Sequence, residues 1–121
     1  MIMRSETHTL PEDVLASLDT CGGIGGLRES LPPEDTIASL HTLYKTIADP
    51  FRIQILVLLA VQPLCVCVIR DILGITDSKL SYHLNVLKEN GLIAGEQQGT
   101  WIIYRLTEKG EFISRSMIRT G

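Results

Sequence analysis

Apolar residues return every three or four positions across residues 34–48. Ile37, Leu40, Tyr44 and Ile47 share one face, with Leu43 beside them. That spacing predicts an amphipathic helix. Asp49-Pro50 follows as an N-cap and a first helical residue, so a second helix is expected to run to Val61, where Gln62-Pro63 stops it. A short third helix, about Val66–Leu73, ends at Gly74. Thr76 caps the next and Asp77 occupies its first turn. Leu80, Leu84 and Leu87 form its single apolar stripe, and Asn90-Gly91 stops it. The stretch LIAGEQQGTWIIYRL then divides into two strand-like runs around Gln97-Gln98-Gly99, a hairpin signal. Thr107–Arg119 predicts a last helix, weakened by Gly110.

Upstream, PEDVLASLDT (residues 11–20) predicts a short helix opened by Pro11, with Val14, Leu15 and Leu18 apolar. CGGIGGLRESLPP, with four glycines and two prolines, reads as a flexible connector. The expected organisation is therefore an N-terminal extension over 1–33 and one folded domain over 34–121. A chain of 121 residues suits one modest core, or half of an obligate dimer.

Charge refines this picture. The net charge of −3 hides an asymmetry: residues 1–40 carry −5 and residues 41–121 carry +2. Any contact with DNA is expected from the mildly basic remainder. Ile53–Ile69 is apolar at 14 of 17 positions, but it is short for a membrane span and is interrupted by Gln54, Gln62 and Pro63. It reads as buried core. Three cysteines are too few, and odd in number, for a secreted disulfide framework, and MIMRSETHTL lacks the apolar run of a leader. The expectation is a cytoplasmic protein with reduced thiols and no membrane association.

Two helices joined by Gly74-Ile75-Thr76 fit a helix-turn-helix, and the hairpin after them fits a wing. The expected fold is mainly α, in the α+β sense: a winged helix-turn-helix. Ser78, Lys79, Ser81, Tyr82 and His83 point away from the leucine stripe and are candidate contacts to bases and phosphates. In the wing, Gln97, Gln98, Thr100 and Arg105 are candidates for flanking backbone. Pattern alone equally allows an ordinary polar surface, because this stretch is not basic. No nucleophile–base pair or carboxylate pair has a supporting motif, so an enzyme is not expected.

The runs ADPFRIQILVLLAV, LCVC, SKLSYHLNVLKENGLI and GTWIIYRLTEKG together resemble the ArsR/SmtB metalloregulators, over about residues 34–119. The resemblance implies a winged-helix repressor that binds operator DNA as a homodimer and releases it on binding a metal or metalloid. It also implies a dimer surface on the helix near 34–48 and the last helix. Pairing agrees with physical expectation, since one recognition helix reads few bases.

Cys65 and Cys67 sit one residue apart at the start of the third helix. The pair alone allows two buried small residues, a redox pair, or half of a metal site. On a regular helix, residues two apart point about 200° from each other. Both sulfurs then cannot lie ~2.3 Å from one ion. In an extended or frayed segment the same spacing puts both side chains on one side, so ligation is expected to demand a distorted helix start and to strain the support of the recognition helix. Thiolates select soft ions. As(III) or Sb(III) are the expected inducers, Cd(II) and Pb(II) are possible ones, and no permanent cofactor is expected. Cys21, in its Gly-rich connector, is the remaining cysteine, and family members with an N-terminal cysteine extension use such a residue as a third ligand. Where the family motif carries acids, this chain has Pro63 and Val68, which favours a metalloid over a divalent cation. The last helix, TEKGEFISRSMIRTG, lacks the His and Asp of the family's interfacial zinc/nickel site, and His8, His41 and His83 are scattered. The main expectation is a metalloid-responsive repressor. The alternatives are a thiol redox or reactive-sulfur sensor of the same fold, and a DNA-binding domain whose cysteines are only packing.

Overall fold

The computed structural model describes residues 10–18 and 22–119. They fall into two compact units, the first ending at Ala38 and the second beginning at Ser39. In the first unit, α1 (Glu12–Ala16) has Pro11 at its N-cap and acids in its first turn. The connector after it is not entirely irregular. Gly23–Glu29 forms α2, entered through Gly22 in the left-handed region (φ 86°) and closed where the Ser30 hydroxyl donates to the Leu27 carbonyl at 2.6 Å. Glycine content alone pointed to a loop. The local hydrogen bonds of a turn at each end overcome that preference here.

The helix α3 (Glu34–Ile47) starts with two acids in its first turn and spans the division between the units. The second unit continues with α4 (Pro50–Val61), β1 (Leu64–Cys65), α5 (Val66–Leu73), α6 (Asp77–Glu89), β2 (Ile93–Gln98), β3 (Trp101–Leu106) and α7 (Glu108–Arg119). The caps anticipated from sequence are made. The Asp49 carboxylate accepts from the Phe51 and Arg52 N–H groups, with Pro50 at the first position. Thr76 Oγ1 accepts from the Lys79 N–H at 3.2 Å. Gly74 ends α5 with φ 65°, a conformation that costs a side chain, and its N–H returns to the Arg70 carbonyl.

The hairpin turn lies one residue later than the sequence pattern placed it. Gln98 pairs with Trp101, so Gly99 and Thr100 make the turn and both glutamines belong to β2. A third strand joins them: β1 pairs antiparallel with β3 through Leu64↔Tyr104 and Cys65↔Ile103, giving the sheet order β1-β3-β2. The core consists of Ile55, Leu56 and Leu59 of α4, Ile69 of α5, Leu80, Leu84 and Leu87 of α6, with Leu92, Ile93 and Tyr104. Among the described residues no helix is long and apolar enough to cross a membrane.

Candidate functional site: a thiol pair beside a helix-turn-helix

Cys65 lies in an extended segment just ahead of the helix, the arrangement that puts two side chains at this spacing on one side. Cys65 is not in the helix: it is the N-cap of α5, in an extended conformation (φ −65°, ψ 145°), and the last residue of β1. Cys67 is the second helical residue. The extended step between them cancels the 200° separation that a continuous helix would impose, and the two sulfurs lie 2.7 Å apart. No bending of α5 is needed to bring them to one ligand.

The same placement sets their acidity. Cys65 is held below the ordinary thiol range, first by the hydrogen bond from Cys67. The N–H groups of Cys67 and Val68 and the positive charge of Arg70 add to this, against the opposing effect of burial. Cys67 is pushed up, chiefly because it is the donor to Cys65. A thiolate capping a helix N-terminus is favoured by the orphan N–H groups there. The pair therefore holds its first negative charge on Cys65. Among the described residues no group of three His, Cys, Asp or Glu side chains could hold a metal ion. The pair supplies two sulfur atoms, and the third candidate, Cys21, lies outside the described residues, as does His8.

From this pair, α5 runs to Gly74 and the turn into α6. Arg70 Nη1 meets Asp77 Oδ1 at 2.9 Å, joining the last turn of α5 to the first turn of α6. Both side chains are largely exposed, so the pair orients more than it stabilises.

On α6, Ser78, Lys79, Ser81 and Tyr82 are exposed. Tyr82 exposes 60% of its surface. Lys79 Nζ rests 4.7 Å above the Phe51 ring, which fixes the direction of its chain. In the wing, Gln98 and Arg105 are exposed, and Arg105 is paired with Glu96 at 3.2 Å. His83 is the exception among the sequence candidates. It is 4% exposed and turned into the protein, where Arg52 Nη1 lies 3.0 Å from its Nδ1. The spacing held the clue: positions 80, 83, 84 and 87 follow the i, i+3, i+4, i+7 rule, so residue 83 belongs to the buried face. Arg52, Asp49 and Phe51, which surround it, were not among the sequence candidates.

The family model for bacterial regulatory proteins of the arsR family matches residues 49–94, the stretch from the α4 cap to the first residues of β2. An uncharacterized HTH-type transcriptional regulator of Methanocaldococcus jannaschii is 39% identical over 67 residues, covering 54% of this chain and 75% of the relative. The arsenical resistance operon repressor of Bacillus subtilis is 40% identical over 67 residues, covering 54% of this chain and 64% of the relative, so the match spans less than two thirds of that repressor. Among solved structures, HlyU from Vibrio cholerae superimposes with a TM-score of 0.68 at 27% identity, over 73% of this chain and 97% of that one. The motifs, the winged helix-turn-helix and these matches agree: the chain belongs to the arsR family of bacterial regulatory proteins.

Proposed function

We propose that the protein is a cytoplasmic transcriptional repressor that binds operator DNA as a homodimer and releases it when a soft thiophilic ion, As(III) or Sb(III) before Cd(II) or Pb(II), is held by Cys65 and Cys67. The observation that carries this reading is the pair of sulfurs 2.7 Å apart at the N-terminus of α5, one short helix away from the reading helix α6. Residues 34–121 act as the DNA-binding and dimerisation domain, and residues 1–33 as the extension that brings Cys21 as the third thiolate. Leu40 and Tyr44 on α3 and Phe112 on α7 expose apolar surface suited to a second copy. Ser78, Lys79, Ser81 and Tyr82 face the duplex, with Gln98 and Arg105 in the wing. The arsenical relatives support the choice of inducer, and so does the chemistry: thiolates prefer soft acceptors.

Because the sulfurs are already together, release does not come from bending the start of α5. An ion bound ~2.3 Å from each thiolate ties Cys65, on the strand, to Cys67, on the helix. That new constraint at the start of α5 is passed along the helix to the Arg70–Asp77 contact. Couplings of this kind are worth about 1–3 kcal/mol, or about 5–150-fold in affinity.

Fluorescence anisotropy of the full chain on its own promoter tests this. As(III) should weaken binding at least about tenfold. Cys65→Ser and Cys67→Ser should each abolish that response while leaving the metal-free affinity in place. Cys21→Ser should weaken the response, and an unchanged response would remove Cys21 from the site. Release by an oxidant but not by As(III) would favour the second reading, a thiol redox sensor, in which two cysteines give up two electrons and two protons to the oxidant. The raised acidity of Cys65 and the likeness to HlyU, one form of which was solved reduced (TM-score 0.67, 27% identity), support that alternative. Lys79→Ala should weaken binding to all duplexes alike and lower the salt dependence by about one phosphate contact; an unchanged affinity would take Lys79 off the interface.

A further inference from the structure

His83 is the only buried position on α6 that is not a leucine: the others are Leu80, Leu84 and Leu87. An apolar side chain at that place would suffice for packing, so the imidazole invites a reason. Its partner gives one. A guanidinium has only donors, and Arg52 Nη1 lies 3.0 Å from His83 Nδ1. Nδ1 must therefore accept, which leaves the ring neutral with its proton on Nε2. Arg52 is itself fixed, its Nε donating to the Thr46 carbonyl at 2.5 Å. Thr46 closes α3, Arg52 opens α4 and His83 lies mid-way along α6, so one chain of hydrogen bonds ties the reading helix to the ends of two others.

We propose that His83 is a positioning residue for DNA reading: its neutral ring, accepting from Arg52, sets the rotation of α6 that turns Lys79 and Tyr82 outward, and protonation of that ring weakens DNA binding. The inference rests on the DNA-reading role of α6 given above. It differs from a direct contact in the sign of its pH dependence. A histidine touching phosphate binds DNA more tightly when protonated, because a cation is gained. A histidine that must accept from Arg52 binds DNA less tightly when protonated, because an N–H then faces an N–H.

The charged groups around the ring bear on that sign from each element. From α4, the Asp49 carboxylate lies 3.9 Å from Nδ1 and favours the proton, while Arg52 opposes it. From α6, Lys79 opposes it as well, and Tyr82 stands edge-on at 5.2 Å as a neutral neighbour. From α3, the Thr46 carbonyl is already engaged by Arg52. Phe51 covers the ring at 5.5 Å. Burial is the largest influence and lowers the ring below its ordinary 6.5, so Asp49, already engaged in capping α4, is outweighed. The ring is neutral above 6.5, and the loss of DNA affinity is expected only as the pH falls below that value.

The test uses the full chain and a duplex selected from a random library against the wild type at pH 7.5. His83→Asn puts a carbonyl oxygen near the Nδ1 position and keeps an acceptor for Arg52. His83→Leu removes it. The expected result is wild-type-like binding by His83→Asn at pH 7.5 and loss of at least about tenfold by His83→Leu. From pH 7.5 to 5.5, wild-type affinity should fall while that of His83→Asn stays flat. If His83→Leu does not fold, the comparison of wild type with His83→Asn across pH still decides. Tighter wild-type binding in acid, or identical profiles for the two proteins, overturns the inference while leaving DNA reading intact. A wild type that selects no duplex removes the DNA-reading role and this inference with it.

Discussion

Gly110→Ala should cost about 3 kcal/mol or more of folding stability, read as a shift in the midpoint of a urea melt. Gly110 lies in the first turn of α7, and a Cβ built there would stand 2.0 Å from the Leu92 carbonyl oxygen, 3.1 Å from its carbon and 3.2 Å from Leu106 Cδ2. The obstacle is backbone, not the end of a flexible side chain, so one element must move by more than an ångström. It cannot move freely. The Thr107 N–H donates to the Leu92 carbonyl at 3.0 Å, the Thr107 hydroxyl to the Gly91 carbonyl at 2.6 Å, and Lys109 Nζ to the Asn90 carbonyl at 3.2 Å. The start of α7 is thus clamped to the chain that leaves α6, and a methyl group would pry the clamp open. Against total stabilities of about 5–15 kcal/mol, the loss is large. Gly25→Ala is the control, because nothing lies within 4 Å of a Cβ there; a gain of up to about 1 kcal/mol is expected from helix propensity. If Gly110→Ala melted with the wild type, the tight approach of α7 to Leu92 would be wrong.

Gly110 also shows where sequence reading stops. As a helix-weakening residue it lowered the expectation of a last helix, yet it is what allows that helix to dock. Whether a glycine is a defect or a close approach depends on a neighbour eighteen positions away, and no local pattern reports it. The caps at Asp49 and Thr76 and the stop at Gly74 were legible because their partners lie within four residues. The strand β1 was not: its two residues pair with Tyr104 and Ile103, about forty positions on. That omission carried over to the thiols, since the strand holds Cys65 extended and so allows the sulfurs to meet. The exposed candidates on α6 followed from a three-leucine stripe. The inward turn of His83 required widening that stripe by one position, and its partner Arg52, thirty-one residues earlier, required the fold.

Ile69→Ala should destabilise the protein by about 2–5 kcal/mol, and Ile69→Val by about 1 kcal/mol, in the same denaturant measurement. Ile69 is fully buried and is the one buried residue of α5, a helix of eight residues. A helix that short does not persist in water by its own hydrogen bonds. It is held by Ile69 in the core, with Val66 and Leu73 partly buried against it, and by its two caps. Removing three methyl or methylene groups from Ile69 leaves a cavity directly beneath the segment that joins the thiol pair to α6. The functional consequence distinguishes this from a loss elsewhere in the core. In a Cys21→Ser background, the Cys65 and Cys67 thiols, already partly exposed in the folded chain, should react still faster with a disulfide reagent in Ile69→Ala, because the helix start that holds them opens more often. Leu84→Ala, on the far helix, should lower global stability similarly while leaving thiol reactivity under native conditions much closer to the wild type. Equal acceleration in both variants would mean that α5 has no opening independent of the rest of the core. In that case α5 would move only with the whole core, and a ligand at its start would have to act on the domain as a unit.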